Sequence, residues 1–129
     1  MIPESYIDLL LEGHVAHLAT INPNGTPQVS PIWVDYSDGL VLFNTAKLRK
    51  KYRNIKKNPN VALSIPDKSN PYRYITIQGI VVEEEEDQKV ARDHIATLGV
   101  RYFGREFIPP EEEVRIIFKI KPKYVHTSG

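Results

Sequence analysis

Two tight turn signals near the start of the chain separate three short apolar runs. The runs occupy residues 14–21, 26–36 and 40–45, and the turns between them read "NPNG" and "SDG". Asn-Gly and Asp-Gly pairs tolerate the positive φ of tight hairpin turns, and short β-branched runs favour strands over helices. Pro31, inside the second run, indicates a bulge or an edge position. The pattern therefore predicts an antiparallel meander of three strands.

The rest of the chain predicts further strands and a few surrounding helices. Helices are expected over three segments: 3–13, the basic segment from Leu48 onward, and 85–104 with Gly104 as its end. Strands are expected over three more: 58–65, 72–83 and 114–121, the last followed by a terminal tail. Six strands and three helices in this order predict a mainly β fold, a closed six-stranded antiparallel barrel with peripheral helices, forming a single domain over residues 1–129.

Two of these segments carry local signals of their own. In the basic segment, Leu48, Tyr52 and Ile55 recur at helical spacing, and Thr45 stands before them as a candidate N-cap. Gly79 interrupts the longest strand, which indicates a bulge or a close approach of another backbone.

Several kinds of chemistry are excluded by residue types that the chain lacks. With no cysteine among 129 residues, disulfides, thiolate catalysis and cysteine-ligated metals are excluded. His14 and His17 would face opposite sides of a strand, which is wrong for joint metal ligation. No nucleophile motif, phosphate-binding loop or carboxylate pair occurs, so no catalytic residue is assigned. If the protein is an enzyme, we expect a bound cofactor to supply the reactive atom. The short apolar runs and acidic start favour a cytoplasmic protein without a membrane segment.

Positive charge is concentrated in one segment of a nearly neutral chain. Seven Lys or Arg residues lie between Lys47 and Lys57, whereas the formal net charge is +1 and no acid occurs from residue 39 to 66. Cations near the start of a helix oppose its dipole, and a bound anion would relieve that misfit. The phosphate of a small cofactor is one such anion. A solvated basic face and a nucleic acid are the alternatives; the small net charge and the acidic runs at 83–87 and 111–113 argue against the nucleic acid. Both acidic runs are expected in first helical turns.

Four motifs in a fixed order resemble a known family. They are "LATINPNGTPQVSPIW", "FNT", R-x-K-x-x-N followed by "NPNVAL", and "DKSNPYRY-x-x-I-x-G". Together they resemble the split-barrel flavin-binding superfamily typified by pyridoxamine 5′-phosphate oxidase, and more narrowly its small deazaflavin-dependent oxidoreductases, which use coenzyme F420. The resemblance covers about residues 5–104 and is strongest over 14–79.

The resemblance implies a six-stranded split barrel that forms a homodimer, with two cofactor sites at the interface. It implies cofactor-binding roles for ten residues. Five are expected near the ring system: Ser30, Pro31, Ile32, Trp33 and Gln78. Four are expected near the phosphate, namely Thr45, Arg49, Lys50 and Lys51, and Arg73 is expected to reach the cofactor or the partner chain. Asn54 matches the motif asparagine, for which helix packing is an alternative role.

The resemblance also implies an oxidoreductase that transfers a hydride between F420 and a small organic acceptor. FMN shares the ring shape and the ribityl phosphate, so the phosphate residues discriminate little between the two cofactors. F420 adds an acidic tail, which the excess cations Arg53, Lys56 and Lys57 could accommodate. An FMN-dependent oxidoreductase and a non-enzymatic flavin carrier remain the alternatives. We expect a small-molecule substrate, and neither nucleic acid nor membrane as a partner.

Overall fold

The computed structural model describes every residue from Met1 to Gly129. It contains seven strands: β1 (Ala16–Ile21), β2 (Pro27–Ile32), β3 (Val34–Ser37), β4 (Leu40–Ala46), β5 (Asn60–Asp67), β6 (Asn70–Glu85) and β7 (Arg115–Ser128). The helices are α1 (Asp8–Leu11), which follows a short 3-10 turn, α2 (Lys50–Lys57) and α3 (Gln88–Phe103). No helix is long and apolar enough to cross a membrane.

All seven strands belong to one antiparallel sheet whose two edges are consecutive in the chain. The order is β2-β1-β5-β6-β7-β4-β3, so only Trp33 separates one edge strand from the other. The sheet must curl until these edges approach each other, which gives a split barrel. The prediction of six strands, with one strand over 26–36, is wrong here. That segment is divided because Ile32 pairs with Ala16 of β1, whereas Val34 pairs with Phe43 of β4.

The core lies inside the curled sheet. Alternate residues of β5 (Val61, Leu63 and Ile65) are buried, and Ile75 and Ile77 of β6 continue the same layer. This alternation is what a sheet with one buried face requires. The first half of β7 is buried on both faces, because one face lies in the barrel and the other is covered by α3.

The basic helix begins later than its apolar spacing indicates. Leu48 is 89% exposed and precedes α2, so Tyr52 and Ile55 alone form the packed stripe. Thr45 is not the N-cap: it is buried in β4, while Arg49 occupies the cap position with no side-chain cap. The reason is that β4 continues to Ala46 by pairing with β7.

The acidic runs do not open helices as expected. Glu83 to Glu85 belong to β6, whose pairing with β7 extends to Glu85, and residues 111–113 lie in the loop before β7. Of the acids in these two runs, only Asp87 acts at a helix start, where its side chain accepts from the backbone N–H groups of Lys89 and Val90. The predicted end of α3 is confirmed, since Gly104 is in the left-handed conformation at φ 79°.

The final strand is longer than predicted. Residues 122–128, expected as a tail, continue β7 along β6, where Tyr74 pairs with Ser128. A register shift occurs between Gln78 and Gly79, and a Cβ on Gly79 would lie 2.6 Å from the carbonyl oxygen of Lys121. The predicted irregularity at this glycine is therefore confirmed.

Candidate functional site

A cavity of about 330 Å³ lies where the Trp33 crossover, the end of β4, the start of α2 and the start of β7 meet. Its lining combines apolar, amide and cationic side chains, which are Val15, Pro31, Ile32, Trp33, Asn44, Thr45, Arg49, Lys51, Ile95, Phe107 and Arg115. Segments far apart in sequence therefore build one cavity with an apolar wall and a cationic end.

Six of the ten residues expected at a cofactor line this cavity: Pro31, Ile32, Trp33, Thr45, Arg49 and Lys51. Pro31 and Ile32 end β2 and Trp33 follows in the break between the sheet edges, whereas the other three come from the end of β4 and the start of α2. The structure thus brings residues expected near the ring system and residues expected near the phosphate to the same cavity.

The other four lie outside the cavity of this chain. Ser30 has a buried hydroxyl without a hydrogen-bond partner, and Lys50 is exposed at the start of α2. Gln78 is exposed in a separate depression on the outer sheet face. Arg73 is held within its own chain, since its guanidinium bonds both the carboxylate of Asp8 and that of Asp67.

Three cations converge at one end of the cavity without an equal number of acids. Burial lowers the pKa of Lys51, and the neighbouring charges of Arg49 and Arg115 lower it further. Burial also lowers the pKa of Arg115, only partly offset by its bond to Glu113, and Arg49 adds to the lowering. These directions mean that the positive groups repel one another in a poorly solvated place. An anion bound between them would relieve both costs.

Arg115 is the cavity cation that the sequence does not reveal. It is 6% exposed, and its Nε donates to Oδ1 of Asn44 at 2.9 Å while Nη1 contacts Glu113 at 2.9 Å. Gln88 fixes its backbone through bonds to both the N–H and the carbonyl of Arg115. The available signal is an arginine at the head of the apolar run "RIIF", but its approach to the basic segment depends on the pairing of Ala46 with Arg115.

The basic segment divides into cations that face the cavity and cations that face acids. Lys47 pairs with Glu86 at 3.1 Å, and Lys56 pairs with Glu84. The acidic run that ends β6 therefore neutralises part of the basic segment. Arg49 and Lys51 have no such partner.

The apolar wall is built around the chain's single tryptophan. Trp33 stacks on Tyr102 and meets Phe107 edge-on, with ring centroids 5.2 and 6.0 Å apart. Phe107 lies in the loop between α3 and β7. That loop packs closely on α3 at Gly99, where a Cβ would lie 2.8 Å from the carbonyl oxygen of Arg105. The wall is therefore held by packing on both sides.

The curled sheet, open between two edge strands and carrying this cavity at the opening, defines a split-barrel protein. The chain belongs to the pyridoxamine 5′-phosphate oxidase family, whose profile matches residues 2–129.

Solved structures agree with this assignment. A protein described as an F420 reductase is 37% identical, with a TM-score of 0.86 over 97% of this chain and 98% of the other. General stress protein 26 from Bacillus anthracis is 21% identical, with a TM-score of 0.72 over 97% and 92% of the two chains. HupZ from Group A Streptococcus is 20% identical, with a TM-score of 0.72 over 98% and 94%. The last two show the fold alone. No curated protein matches the sequence.

Proposed function

We propose that this protein is an oxidoreductase that binds coenzyme F420 in the cavity and uses it to transfer a hydride to or from a small organic acceptor. The observation that carries the proposal is the convergence of Arg49, Lys51 and Arg115 at one end of the cavity, with the pKa values of Lys51 and Arg115 lowered by burial and mutual repulsion. Such a cluster is stabilised by a bound anion, and a cofactor phosphate is an anion of suitable size.

The remaining lining fits the rest of such a cofactor. The side chains of Pro31, Ile32 and Trp33 offer an apolar wall for a ring system. No side chain caps the start of α2. When bound, the deazaflavin would supply the hydride. The chain's own residues would hold the phosphate, orient the ring and exclude water from its face. In this arrangement the buried Thr45 hydroxyl assists the phosphate, and Lys50 contributes only at longer range.

Two observations favour F420 over FMN. The 37% identical structure is described as an F420 reductase. Cations outside the cavity can pair with the acidic tail of F420, although fewer than expected. Lys56 is already paired with Glu84, which leaves Lys57 and Arg53. One nitrogen of Arg53 is engaged by the carbonyl of Leu48 at 2.7 Å.

We further propose a homodimer with the cofactor sites at its interface. Phe103 and Ile108 are each 72% exposed, and Phe107 is 39% exposed at the cavity. Exposed apolar groups clustered beside a cavity are typical of an interaction surface. A second chain would cover them, enclose the cofactor, and give the exposed Gln78 the opportunity to act across the interface. Sedimentation equilibrium at micromolar concentration should give twice the 14.8 kDa chain mass; a monomer that binds cofactor would contradict the shared site.

The decisive experiment is a fluorescence titration of the purified protein with F420, FMN and riboflavin in parallel. Riboflavin is the matched control because it keeps the flavin ring of FMN and lacks only the phosphate. We expect F420 to bind more tightly than FMN, and FMN more tightly than riboflavin. Equal binding of FMN and riboflavin would contradict the phosphate site.

Turnover is then tested anaerobically with reduced F420 and a panel of conjugated acceptors. Oxidation of the cofactor with reduction of an acceptor is the expected result. If the protein binds only FMN and consumes oxygen after reduction, it is an FMN-dependent oxidoreductase. If it binds a cofactor tightly and supports no turnover, it is a carrier.

A further inference from the structure

Behind the cavity, four polar side chains form a continuous hydrogen-bonded chain. Oδ2 of Asp35 lies 3.0 Å from Nε2 of His94, and Nδ1 of His94 lies 3.2 Å from Nδ2 of Asn44. Asn44 then accepts from Nε of Arg115 at 2.9 Å. The chain links β3, α3, β4 and β7, and its last two members line the cavity.

The partners of Asn44 determine the orientation of its amide and the tautomer of His94. Arg115 can only donate, so it must face the amide oxygen of Asn44. The amide nitrogen therefore faces the carbonyl of Ala91, at 2.8 Å, and Nδ1 of His94. A nitrogen that receives this bond carries no hydrogen, which places the imidazole hydrogen of His94 on Nε2, facing Asp35.

We propose that Asn44 and His94 are positioning residues that hold the Arg115 guanidinium at the cavity, and that they do so only while His94 is neutral with its hydrogen on Nε2. The inference rests on the proposed function, because it gives Arg115 an anion to bind. It does not depend on which cofactor supplies that anion.

A second proton on His94 would disrupt the series of hydrogen bonds at Asn44. Nδ1–H would then face the amide NH₂ of Asn44, and two donors cannot bond each other. If the amide turned over to satisfy His94, its NH₂ would face Nε–H of Arg115 and that bond would be lost instead. In either case Arg115 loses an orienting partner, so its affinity for an anion should fall.

The charges around His94 do not reverse this expectation. Asp35 contacts its ring from β3, and Arg101 of α3 contacts the other oxygen of the same carboxylate at 3.0 Å. On the β4 side stands the neutral Asn44, with Arg115 and its partner Glu113 beyond it. The Asp35 carboxylate lies against any added imidazolium charge and offsets its attraction for an anion in the cavity. We therefore expect the change in hydrogen-bond geometry, and not the added charge, to decide whether protonation of His94 raises or lowers the affinity for an anion.

Nuclear magnetic resonance of the ¹⁵N-labelled protein without cofactor directly tests this relay, that is, the dependence of Arg115 on the protonation state of His94 through Asn44. Long-range ¹H–¹⁵N correlations should show His94 protonated on Nε2 at neutral pH. As the pH is lowered and His94 gains its second proton, the Hε–Nε signal of Arg115 should shift over the same interval. His17 and His126, both exposed, serve as internal controls whose titration should leave that signal unchanged. A neutral His94 protonated on Nδ1, or an Arg115 signal that ignores the titration of His94, would overturn the proposal.

Binding of FMN by variants at His94 provides the second test. His94→Gln keeps a donor and an acceptor but cannot titrate, whereas His94→Leu removes both. At neutral pH we expect His94→Leu to weaken FMN binding by about three- to tenfold, less than the loss of a direct contact, and His94→Gln to restore most of it.

The pH dependence of the same binding separates a relay from simple packing. A phosphate monoester itself titrates at about pH 6, so only the difference between the wild-type and His94→Gln curves is informative. We expect wild-type affinity to fall more steeply on acidification than that of His94→Gln. Identical curves would overturn the relay. If FMN and F420 both fail to bind the wild-type protein, the proposed function fails, while the magnetic resonance experiment still decides the relay.

Discussion

The phenol ring of Tyr102 stacks on the indole of Trp33, with centroids 5.2 Å apart and planes inclined by 11°. Its hydroxyl accepts from the backbone N–H of Val34 at 3.0 Å and donates to the carbonyl of His14 at 2.8 Å. Val34 begins one edge strand, and His14 precedes the strand next to the other edge. A single side chain of α3 therefore joins the two sides of the barrel at the opening, where no sheet ladder connects them.

Replacing this tyrosine should destabilise the barrel without removing the ring contact. In Tyr102→Phe the stacking on Trp33 remains, but the N–H of Val34 and the carbonyl of His14 lose their buried partner. We expect the free energy of unfolding to fall by about 1–3 kcal/mol. Urea unfolding followed by circular dichroism measures it, with Tyr124→Phe, 72% exposed, as the control. Equal stability of the two variants would contradict a role for Tyr102 at the opening.

The second prediction concerns acid stability and Asp35. Burial alone would raise the pKa of Asp35, but hydrogen bonds from His94, the N–H of Tyr36 and Arg101 outweigh it and lower the pKa to about 2 from 3.8. A lowered folded-state pKa contributes stability that is fully present above the unfolded value and is lost as the pH falls through the folded value. The window is therefore from about pH 4 to about pH 2, and the shift corresponds to about 2 kcal/mol.

Asp35→Asn should remove this part of the acid dependence. Urea unfolding at pH 4 and pH 2 should show that the wild-type protein loses about 2 kcal/mol more than the variant over this interval. Asp93→Asn, on the exposed face of α3, is the control and should keep the wild-type slope. If both variants keep that slope, Asp35 does not titrate as its contacts indicate.

The local features of the fold could be predicted from the sequence, whereas the division of segment 26–36 into two strands could not. Turn residues and alternating apolar positions are properties of neighbouring residues, so the hairpins, α3 and the irregularity at Gly79 could be recognised. The break at Trp33 has no local cause. It arises because the residues on either side pair with strands at opposite edges of the sheet, and a single strand over 26–36 satisfies the same local pattern.

The site divides in the same way. The apolar segment at Trp33 and the cations Arg49 and Lys51 lie in recognisable motifs. Arg115 and Phe107 reach the cavity only through the pairing of β7 with β4 and the packing of a loop on α3. Arg73 shows the converse: its motif predicts a role at the cofactor, but two carboxylates of its own chain hold it.

The third prediction uses Gly99 to move one wall of the cavity. Alanine would favour the helix by about 1 kcal/mol on propensity alone. A Cβ at Gly99 would, however, press on the backbone of Phe107 and Arg105, which cannot yield as a flexible side chain would. We expect Gly99→Ala to lower the free energy of unfolding by about 1–3 kcal/mol. Because Phe107 contacts the only tryptophan, Trp33, its fluorescence should change as well.

Val100→Ala is the matched control for this glycine. Val100 is the next residue of α3 and is 51% exposed, so the substitution removes little buried packing. Its stability should match or slightly exceed that of the wild-type protein, and its fluorescence should be unchanged. Unchanged fluorescence in Gly99→Ala would mean that the loop does not depend on this close contact.

The last prediction separates a cofactor phosphate from a diffuse polyanion. Arg49 and Lys51 line the cavity, whereas Lys50 and Lys57 lie outside it on the same segment. Arg49 is itself exposed, as both controls are, so position at the cavity and not burial separates it from them. Removing a charge-assisted hydrogen bond to a partly buried phosphate costs about 1.5–3 kcal/mol, so Arg49→Ala and Lys51→Ala should weaken cofactor binding by roughly ten- to more than a hundredfold. Lys50→Ala and Lys57→Ala carry the same charge change and should cost much less, because both side chains lie outside the cavity and would act on the phosphate only through solvent.

Titrations of the four variants at two salt concentrations decide between the alternatives. At a phosphate site the ranking of the variants should persist at high salt, since partly buried pairs are weakly screened. On a surface that binds a polyanion, every cation would contribute similarly and binding would weaken steeply with salt. Equal, small losses for Arg49, Lys50, Lys51 and Lys57 would therefore mean that the phosphate does not bind at the cationic end of this cavity.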